Sequence, residues 1–469
     1  MSFLDKANRI YCIGLKGVGM IGLAQILKGL GKEVWGSDTT EKFITDEVLV
    51  RAGLKCHEGF SAKHLAEPID FVMRSSAYGP EQEEVAAALK KNLPTYTYAE
   101  VLAELTKTKR GLAVTGSHGK TTISALLAHI LKEAEWRPTA LVGSMVKNWQ
   151  GNALVGDGDW FIFEADEYQN KFHQFMPEAA ILTGIDWDHP DFFPDAESYY
   201  QAFVEFLKKL PPDGWLVACY DDNNVKRAVA EAGLKPEQII TYGLKNGYWK
   251  MVRMWLEEGR WHFSLNEGQE YLGVFSFRLI GGHNVANAMA AIAAARRLGI
   301  EVDVIQRALL SFEGTARRFD IKGKLTNGLT IVDDYAHHPA AITATLKAAR
   351  AFYPYKNIRV VFHPHTFSRT KALFKEFANS FKEADQVIIL DIYASAREKV
   401  GSISSLDLVE ETKEHHKNVV HQPTVESVVE YLSADLKRND LLITMGAGDV
   451  WRVGEELIKK FGLITGNEF

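Results

Sequence analysis

Residues 115–122, TGSHGKTT, combine residue types that suit phosphate chemistry. The segment follows an apolar stretch that predicts a strand, GLAVT (111–115), and precedes one that predicts a helix, residues 121–134. In that setting the backbone N–H groups of a turn and the positive end of the helix dipole can hold a phosphate group. Lys120 would add a charge at the terminal phosphates, and Thr121 a hydroxyl ligand for Mg²⁺. A glycine turn with a surface lysine is the alternative interpretation.

A second glycine-rich segment, GLKGVGMIG (14–22), follows another predicted strand, RIYCIGL (9–15). Its glycines match the spacing of the dinucleotide-binding fingerprint, and Asp38 lies at about the distance along the chain at which an acidic residue meets a ribose. NAD is the usual interpretation, but the pyrophosphate of a UDP-sugar would fit the same geometry. A tight turn that binds no ligand is a third interpretation.

Two acidic segments, FEADE and DWDHPD, each end a predicted strand. Their candidate residues are Glu164, Asp166 and Glu167 in the first segment, and Asp186, Asp188 and His189 in the second. The carboxyl ends of strands line the ligand crevice of an open parallel sheet, where acidic groups could hold Mg²⁺ beside a nucleotide. Histidine is not a preferred ligand of this cation. Solvated acidic loops are the alternative.

Two further segments place polar residues where a nucleotide could be reached. HNVAN opens a predicted helix, with Asn284 as its N-cap and Asn287 on the same face, directed at a base. EGTARRFD (313–320) lies at a predicted domain boundary, where Arg317 or Arg318 would reach across a cleft to a phosphate. A surface ion pair is the alternative for these arginines.

Histidines and acids also follow two predicted strands nearer the C-terminus. VDDYAHHP (332–339) carries two carboxylates and two imidazoles. FHPHTFSRTK (362–371) adds His363, His365, Arg369 and Lys371. Zinc is a candidate ligand, but the spacing matches no common zinc pattern and proline interrupts both runs. A structural cluster of hydrogen-bonded side chains is the alternative.

Apolar strand-like stretches alternate with helix-like stretches along the chain, which predicts parallel α/β sheets. Residues 246–278 instead alternate aromatic and polar residues, which predicts antiparallel hairpins added to a parallel core. We predict three domains, at residues 1–108, 109–320 and 321–469.

Composition excludes several classes of protein. The 469 residues carry a net charge of −6 and no basic tract, so neither nucleic acid nor an anionic membrane is an expected partner. The three cysteines are scattered, which indicates neither a disulfide framework nor a zinc site. Because no signal peptide or bilayer-spanning stretch is evident, we expect a cytoplasmic protein.

Taken in order along the chain, these segments resemble the motifs of the Mur ligase family. The shared segments are GLKGVGM, SSA (75–77), TGSHGKTT, EADEY, DWDHPD, HNVAN, GTARRFD, DDYAHHP, PHTFSRT and MGAGDVW (445–451). Because the match runs over nearly the whole chain, it is far more specific than any one motif.

The resemblance implies a fold of three domains. The first would be Rossmann-like and hold the UDP group of a sugar nucleotide. The second would be a P-loop ATPase-type domain that binds ATP on a parallel sheet with added antiparallel strands. The third, a smaller α/β domain, would close over the active site. One glycine-rich loop would then serve the UDP-sugar and the other ATP.

The resemblance also implies roles for individual residues. ATP would be bound by Gly116, Ser117, His118, Gly119, Lys120, Thr121, Thr122, Asn284, Asn287, Arg318 and Asp334. The UDP-sugar would be bound by Gly14, Gly17, Gly19, Met20, Asp38, Ser75 and Ser76. The incoming amino acid would lie near Tyr335, His337 and Arg369. The catalytic set would be Lys120, Glu164, His189, Arg318 and Asp334. Mg²⁺, or Mn²⁺ in its place, would be held by Thr121, Glu164 and His189.

The activity that the resemblance implies is an ATP-dependent ligation in peptidoglycan precursor synthesis. L-Alanine would be joined to the lactyl carboxylate of UDP-N-acetylmuramate through an acyl phosphate. These substrates and ATP would be the partners of a monomer or homodimer. The nearest alternative is a recycling ligase that attaches a ready-made murein peptide to the same UDP-sugar. Alternatives of other classes are an NAD-dependent oxidoreductase and a non-catalytic, nucleotide-regulated binding protein.

Overall fold

A computed structural model describes residues 2–394, 401 and 403–464 of the chain. Parts of the first and third predicted domains, residues 1, 395–400, 402 and 465–469, lie outside the described residues. The described chain forms three β-sheets in succession. The helices that cover each sheet alternate along the chain with its strands.

The first sheet has five parallel strands in the order β3-β2-β1-β4-β5. The strands are β1 (Arg9–Ile13), β2 (Glu33–Asp38), β3 (Lys55–Glu58), β4 (Phe71–Arg74) and β5 (Thr95–Thr97). The helices are α1 (Phe3–Lys6), α2 (Val18–Gly29), α3 (Asp46–Ala52), α4 (Glu83–Lys90) and α5 (Tyr98–Thr106). The strand order reverses between β1 and β4, and a ligand crevice is expected at such a point of an open sheet.

The second sheet has ten strands in the order β15-β14-β13-β12-β11-β10-β6-β9-β7-β8. Its strands are β6 (Arg110–Thr115), β7 (Thr139–Val146), β8 (Gly151–Leu154), β9 (Trp160–Glu164), β10 (Ala179–Leu182), β11 (Trp215–Cys219), β12 (Ile239–Gly243), β13 (Trp249–Glu257), β14 (Arg260–Glu267) and β15 (Glu270–Phe277). Its helices are α6 (Lys120–Glu133), α7 (Ala196–Leu207), α8 (Asn223–Ala232), α9 (Gly282–Arg297) and α10 (Val302–Ser311).

Most pairings in this second sheet are parallel, and β13, β14 and β15 pair antiparallel. The predicted hairpins of residues 246–278 are thereby confirmed. Aromatic side chains that alternate along these strands, Phe263, Phe275 and Phe277, are fully buried against the helices. The pattern arises because successive strand residues face opposite sides of the sheet.

The third sheet has six strands in the order β16-β17-β21-β18-β19-β20, and only β16 runs antiparallel. Its strands are β16 (Asp320–Lys324), β17 (Thr330–Asp334), β18 (Asn357–Phe362), β19 (Gln386–Ile389), β20 (Val419–His421) and β21 (Asp440–Met445). Its helices are α11 (Pro339–Phe352), α12 (Phe367–Ala372), α13 (Phe374–Ala378), α14 (Ser405–Lys413), α15 (Val425–Ser433) and α16 (Trp451–Phe461). These three sheets confirm the predicted α/β fold class.

The first and second sheets meet along a polar seam at helix α2. Asn152 in β8 donates its side-chain amide to the carbonyl oxygens of Val18 (2.7 Å) and Val142 (3.1 Å), and accepts from Gln25 (3.3 Å). A side chain added at Gly22 would lie 2.6 Å from the Asn152 amide nitrogen. The third glycine of the first loop therefore permits close contact with the second sheet.

The segment that leads to the third sheet is fixed to the end of β7. Ala316 N donates to the Met145 carbonyl at 2.8 Å, and Lys147 forms an ion pair with Asp320 at 2.6 Å. The connection between the two sheets is therefore held by hydrogen bonds and charge. Within the described ranges, no helix has the length and apolar character needed to cross a membrane.

Candidate active site

The second glycine loop joins β6 to α6, as the sequence predicts. Gly116 and Gly119 have φ angles of +122° and +83°, a region that favours glycine, and Gly119 is the N-cap of α6. A side chain at Gly119 would lie 2.4 Å from Asn287 Oδ1, and one at Gly116 would lie 2.2 Å from Thr183 Oγ1. Both glycines are therefore required by backbone shape and by close neighbours.

Ser117 and His118 help to shape this loop. The Ser117 hydroxyl donates to the Asp186 carbonyl and accepts from the Asp186 N–H, both at 2.8 Å, and lies 2.9 Å from the Tyr199 hydroxyl. The His118 ring lies 5.1 Å from the ring of His338, which belongs to the third sheet. The loop therefore contacts the segment after β10, at Asp186, and the start of α11, at His338.

Lys120 points into the site and is partly buried. Its Nζ donates to Glu167 Oε2 at 2.8 Å and to the Gly116 carbonyl. Burial lowers the pKa of Lys120, but the negative charges of Glu167, Asp166 and Glu164 outweigh it and raise the pKa overall. Lys120 is therefore a positive charge inside the loop that was predicted to hold phosphates.

Glu167 is a central residue that the sequence named as a candidate Mg²⁺ ligand of the FEADE segment but that the resemblance did not place in the catalytic or metal set. Its side chain is 2% exposed, and its carboxylate accepts from the Tyr199 hydroxyl at 3.0 Å. His189 Nε2 lies 3.8 Å from the same oxygen, Oε1, and Lys120 contacts Oε2. The carboxylate therefore joins Lys120 to His189. The acidic segment FEADE was the sequence signal that pointed to it.

Thr121, Glu164 and Arg318 form a second cluster beside the loop. The Thr121 hydroxyl donates to Glu164 Oε2 at 3.1 Å, and Arg318 Nη2 lies 3.5 Å from Thr121 Oγ1. The Gly143 N–H also donates to Glu164. Burial raises the pKa of Glu164, while Gly143, Lys120 and Arg318 partly oppose that rise. An arginine from the connection to the third sheet therefore reaches the first turn of α6.

Metal-type ligands come together at Asp166, Glu167 and His189. Among the described residues, one ligand atom from each of these three lies within 4.8 Å of the others. His189 has a φ of +57°, a backbone conformation that residues other than glycine rarely adopt. The predicted metal ligands thus divide between neighbouring clusters, with Thr121 bonded to Glu164, and His189 beside Glu167.

The two asparagines of α9, Asn284 and Asn287, lie beside the second glycine loop. The Asn287 amide donates to Asn284 Oδ1 at 3.0 Å, and the Asn284 amide donates to the Ile280 carbonyl at 2.8 Å. The prediction that Asn284 caps this helix is wrong. Gly281, with a φ of +109°, is the N-cap and places Asn284 inside the first turn. Asn287 remains the asparagine in contact with the loop.

Asp334 and Arg317 organise the start of the third sheet. Asp334 accepts from the N–H groups of Phe319 (2.7 Å) and Ala336 (2.8 Å). Burial raises its pKa, and the positive charge of Arg318 opposes that rise. Arg317 forms an ion pair with Asp333 at 3.1 Å. Of the two adjacent arginines, Arg318 is therefore the one that reaches the second glycine loop, at Thr121.

Two of the residues predicted to lie near the amino acid, Arg369 and His337, lie close to Asp188. Arg369 Nε donates to Asp188 Oδ1 at 2.8 Å, with side chains 6% and 10% exposed. Burial would raise the pKa of Asp188, but Arg369, His189 and His337 outweigh it and hold that pKa well below its usual range. This ion pair links the second and third sheets. The sequence named Asp188 as a candidate Mg²⁺ ligand and did not predict its ion pair with Arg369.

The His337 imidazole lies close to Arg369 and Asp188, and a hydrogen bond defines its tautomer. Its Nδ1 is 2.9 Å from the Tyr335 carbonyl oxygen, which can only accept, so Nδ1 carries the proton and Nε2 has the lone pair. Burial, assisted by the charge of Arg369, lowers the pKa of His337 well below its ordinary value. The imidazole is therefore neutral near pH 7. Among the described residues, the group of three metal-type side chains is Asp166, Glu167 and His189, and zinc at the histidines of the third sheet stays an untested alternative.

The first glycine loop lies at the carboxyl end of β1. Gly14 has a φ of +86°, and its N–H donates to the Ser37 carbonyl at 2.9 Å. Gly17 is the N-cap of α2, which places Gly19 and Met20 in the first turn. Ser75 follows β4 at the same edge, and its N–H donates to the Ile13 carbonyl; Ser76 beside it is exposed.

The Asp38 carboxylate accepts hydrogen bonds from other groups of the protein at this edge of the first sheet. The residue is 2% exposed, and its carboxylate accepts from the N–H groups of Lys16 (2.7 Å) and Thr39 (2.8 Å) and from the Tyr78 hydroxyl (3.4 Å). Burial raises its pKa. In this arrangement Asp38 fixes the loop, and its contact with a ribose stays a prediction.

Comparison with known proteins places the whole chain in one family. Residues 9–110 match the description "Mur ligase family, catalytic domain". Residues 114–295 match "Mur ligase middle domain", and residues 317–448 match "Mur ligase, glutamate ligase domain".

Individual relatives match over their full length. A UDP-N-acetylmuramate--L-alanine ligase of Desulfitobacterium hafniense is 40% identical, over 96% of this chain and 99% of that protein. A protein of the same name from Caldanaerobacter subterraneus is 38% identical, over 97% and 98%.

Solved structures give the same fold. A UDP-N-acetylmuramate-alanine ligase from Thermotoga maritima superposes with a TM-score of 0.83 at 24% identity, over 97% of this chain and 99% of that one. A murein peptide ligase from Psychrobacter arcticus superposes with a TM-score of 0.73 at 23% identity, over 98% and 99%. The chain belongs to the Mur ligase family.

Proposed function

We propose that this protein is the ATP-dependent ligase that joins L-alanine to the lactyl carboxylate of UDP-N-acetylmuramate, a step of peptidoglycan precursor synthesis. The observation that carries the proposal is the identity of 38–40% to ligases of that name over nearly their whole length. The geometry supports it, because Lys120, Arg318 and two acidic clusters meet at one phosphate loop.

We assign the predicted ATP residues to a site around this loop. Gly116 to Thr122 would surround the phosphates, and Asn287 would support the loop from α9. Arg318 and Asp334 would link ATP to the third sheet, since Arg318 reaches Thr121 and Asp334 holds the Phe319 N–H beside it. The UDP-sugar would lie at the first loop, near Gly14 and Ser75.

The donor set at the phosphate loop fits Mg²⁺. Carboxylate and hydroxyl oxygens are the ligands that this hard cation prefers, and Glu164 with Thr121, and Asp166 with Glu167, supply them. His189 adds a nitrogen ligand that Mn²⁺ would also accept. When bound, the cation would neutralise charge on the phosphates and orient them.

The first chemical step would activate a carboxylate. An oxygen of the lactyl carboxylate attacks the γ-phosphorus of ATP, the bond from that phosphorus to the bridging oxygen breaks, and ADP leaves with the electron pair. An acyl phosphate is formed. Lys120 and Arg318 would stabilise the negative charge that develops, since both lie at the phosphate loop.

The second step would form the amide. The nitrogen of L-alanine attacks the acyl carbon, the bond from that carbon to the phosphate oxygen breaks, and inorganic phosphate leaves. The amine must be neutral to attack, and its remaining surplus proton passes to a base or to water. Arg369 would bind the carboxylate of the amino acid, and the free Nε2 of His337 would accept a hydrogen bond from its amine.

The alternative functions have less support. The recycling ligase rests on likeness to a murein peptide ligase at 23% identity, whereas the relatives at 38–40% carry the alanine-ligase name. The NAD-dependent oxidoreductase leaves the loop at Lys120 without a purpose.

A coupled assay tests the proposal. ADP release is measured with ATP, Mg²⁺ and UDP-N-acetylmuramate and with a panel of acceptors that includes L-alanine, glycine, L-serine and the murein tripeptide. The expected result is ADP release that needs both the UDP-sugar and an amino acid, with L-alanine giving the highest kcat/KM. Preference for the tripeptide would identify the recycling ligase, and multiple-turnover ADP release that is not increased by any acceptor would count against a ligase.

We also propose a cytoplasmic location, where ATP and UDP-sugars are available, and a monomer or homodimer in solution. Cell fractionation and light scattering of the purified protein check these two statements.

A further inference from the structure

Glu84 is a fully buried carboxylate beneath the first glycine loop, and the reaction does not use it directly. It lies in the first turn of α4, and its exposed fraction is 0%. Four donors surround its carboxylate: the Tyr11 hydroxyl (3.1 Å), the Ser61 N–H (3.0 Å), His64 Nδ1 (2.8 Å) and the Ser37 hydroxyl. A buried carboxylate with this many donors is costly to disturb.

Ser37 connects this carboxylate to the loop. It is fully buried at the end of β2, and its hydroxyl donates to Glu84 Oε2. Its carbonyl oxygen accepts from both Gly14 (2.9 Å) and Leu15 (3.0 Å). Gly14 has a left-handed backbone conformation, so the loop bends at this residue. Two consecutive N–H groups at the bend, those of Gly14 and Leu15, therefore donate to the same carbonyl oxygen. The position of Ser37 therefore fixes the position of the bend.

The next residue along β2 extends the same connection. Asp38 accepts from the N–H of Lys16, which lies between Gly14 and Gly17 in the loop. The Thr45 hydroxyl donates to the Lys16 carbonyl. The loop therefore rests on two consecutive residues of β2, and the side chain of Ser37 is held from below by Glu84.

We propose that Glu84 is a positioning residue for the UDP-sugar, acting through Ser37 on the backbone of the 14–17 loop. The inference depends on the proposed function, because it takes this loop to be the UDP-sugar site. Glu84 does not touch the substrate. It holds the Ser37 carbonyl where Gly14 and Leu15 need it, and so presets the loop to receive a pyrophosphate.

Tyr11 provides a matched control. Its hydroxyl donates to the other oxygen of the same carboxylate, and its side chain is equally buried. The same hydroxyl also hydrogen-bonds to the Ser37 side chain, but replacing it leaves the Ser37–Glu84 hydrogen bond in place. Tyr11→Phe therefore removes one donor from Glu84 without releasing the loop, whereas Ser37→Ala removes a different donor and does release it.

The test compares four variants in the ligase assay and by calorimetric titration with UDP-N-acetylmuramate. We expect Ser37→Ala and Glu84→Gln each to raise the KM and Kd for the UDP-sugar about tenfold. The KM for ATP and kcat should change less than twofold. The double variant should show no further loss, because both changes remove one connection. Tyr11→Phe should bind the UDP-sugar as the wild type does.

Two results would overturn the proposal. One is an unchanged KM in Ser37→Ala, the small substitution that tests the idea even where Glu84→Gln does not fold. The other is an equal rise of KM in Tyr11→Phe, which would show a general loss of stability. A wild-type protein that fails to bind UDP-N-acetylmuramate at all would instead refute the proposed function, so the two failures are distinguishable.

Discussion

Replacing Asp188 by alanine removes one half of a buried ion pair between the second and third sheets. Arg369 Nε and Asp188 Oδ1 lie 2.8 Å apart, with side chains 6% and 10% exposed. Loss of one partner costs about 3–5 kcal/mol when the other charge stays buried. At about 1.4 kcal/mol per tenfold change, this corresponds to about 10²- to 10³-fold or slightly more. We expect kcat/KM for L-alanine to fall by about that factor, because the cleft opens or Arg369 loses its orientation.

The assay varies L-alanine at saturating ATP and UDP-N-acetylmuramate and follows ADP release. Arg227 and Glu197 supply a matched control, because they form an ion pair at the same 2.8 Å with side chains 52% and 56% exposed. Glu197→Ala should stay within about twofold of the wild type, as is usual for exposed pairs. An Asp188→Ala variant that also stays within about threefold would refute the reasoning.

Three further predictions concern the same site. Gly119→Ala should raise the KM for ATP by at least about tenfold, because an added side chain meets Asn287 at 2.4 Å and the φ of +83° disfavours alanine. Steady-state kinetics with varied ATP check this, with the KM for L-alanine as the internal control. Lys120→Met should abolish turnover and leave calorimetric binding of UDP-N-acetylmuramate nearly unchanged; equal loss of both would contradict separate phosphate sites. Because the folded pKa of Asp188 lies below its usual value, its charge stabilises the fold at neutral pH and that contribution is lost as the pH falls through the folded pKa. The difference in urea midpoint between wild type and Asp188→Asn should thus be constant from about pH 8 to 5 and shrink below about pH 4; a difference that already shrinks near pH 6 would count against this assignment.

The sequence predicted the strands and loops well where apolar stretches end in glycine or acidic motifs. GLAVT and the helix after it correspond to β6 and α6 within one residue at each end. The reason is local, because strand, turn and helix signals all fall within about twenty residues. The antiparallel hairpins were also predictable, since alternation along a strand does not depend on the rest of the fold.

The pairings between distant residues could not be predicted. Lys120 and Glu167 are 47 positions apart and meet only because β6 lies between β9 and β10 in the second sheet. The cap of α9 was misassigned for a similar reason. Gly281 adopts a backbone that the pattern HNVAN does not reveal, and asparagine was the better local candidate.

The backbone turn of the connecting segment decides which of two adjacent arginines enters the site. Arg317 and Arg318 are equivalent in the sequence, yet only the first has Asp333 within reach, and the second turns toward Thr121. Arg317 and Phe319 both have positive φ angles, so the backbone itself turns at this point. Such a turn depends on the contacts of the connecting segment with β7 and could not be read from residue types.

The polar seam at Asn152 has a consequence for engineering. One amide ties the first turn of α2 to β8, so the first glycine loop is fixed against the second sheet by hydrogen bonds as well as by the chain. A chimera that exchanges the N-terminal lobe with that of another family member must therefore carry the β7–β8 ribbon with it. Without that ribbon, we expect the exchanged domain to fold but to pack in a different orientation, which would displace the first glycine loop relative to the second.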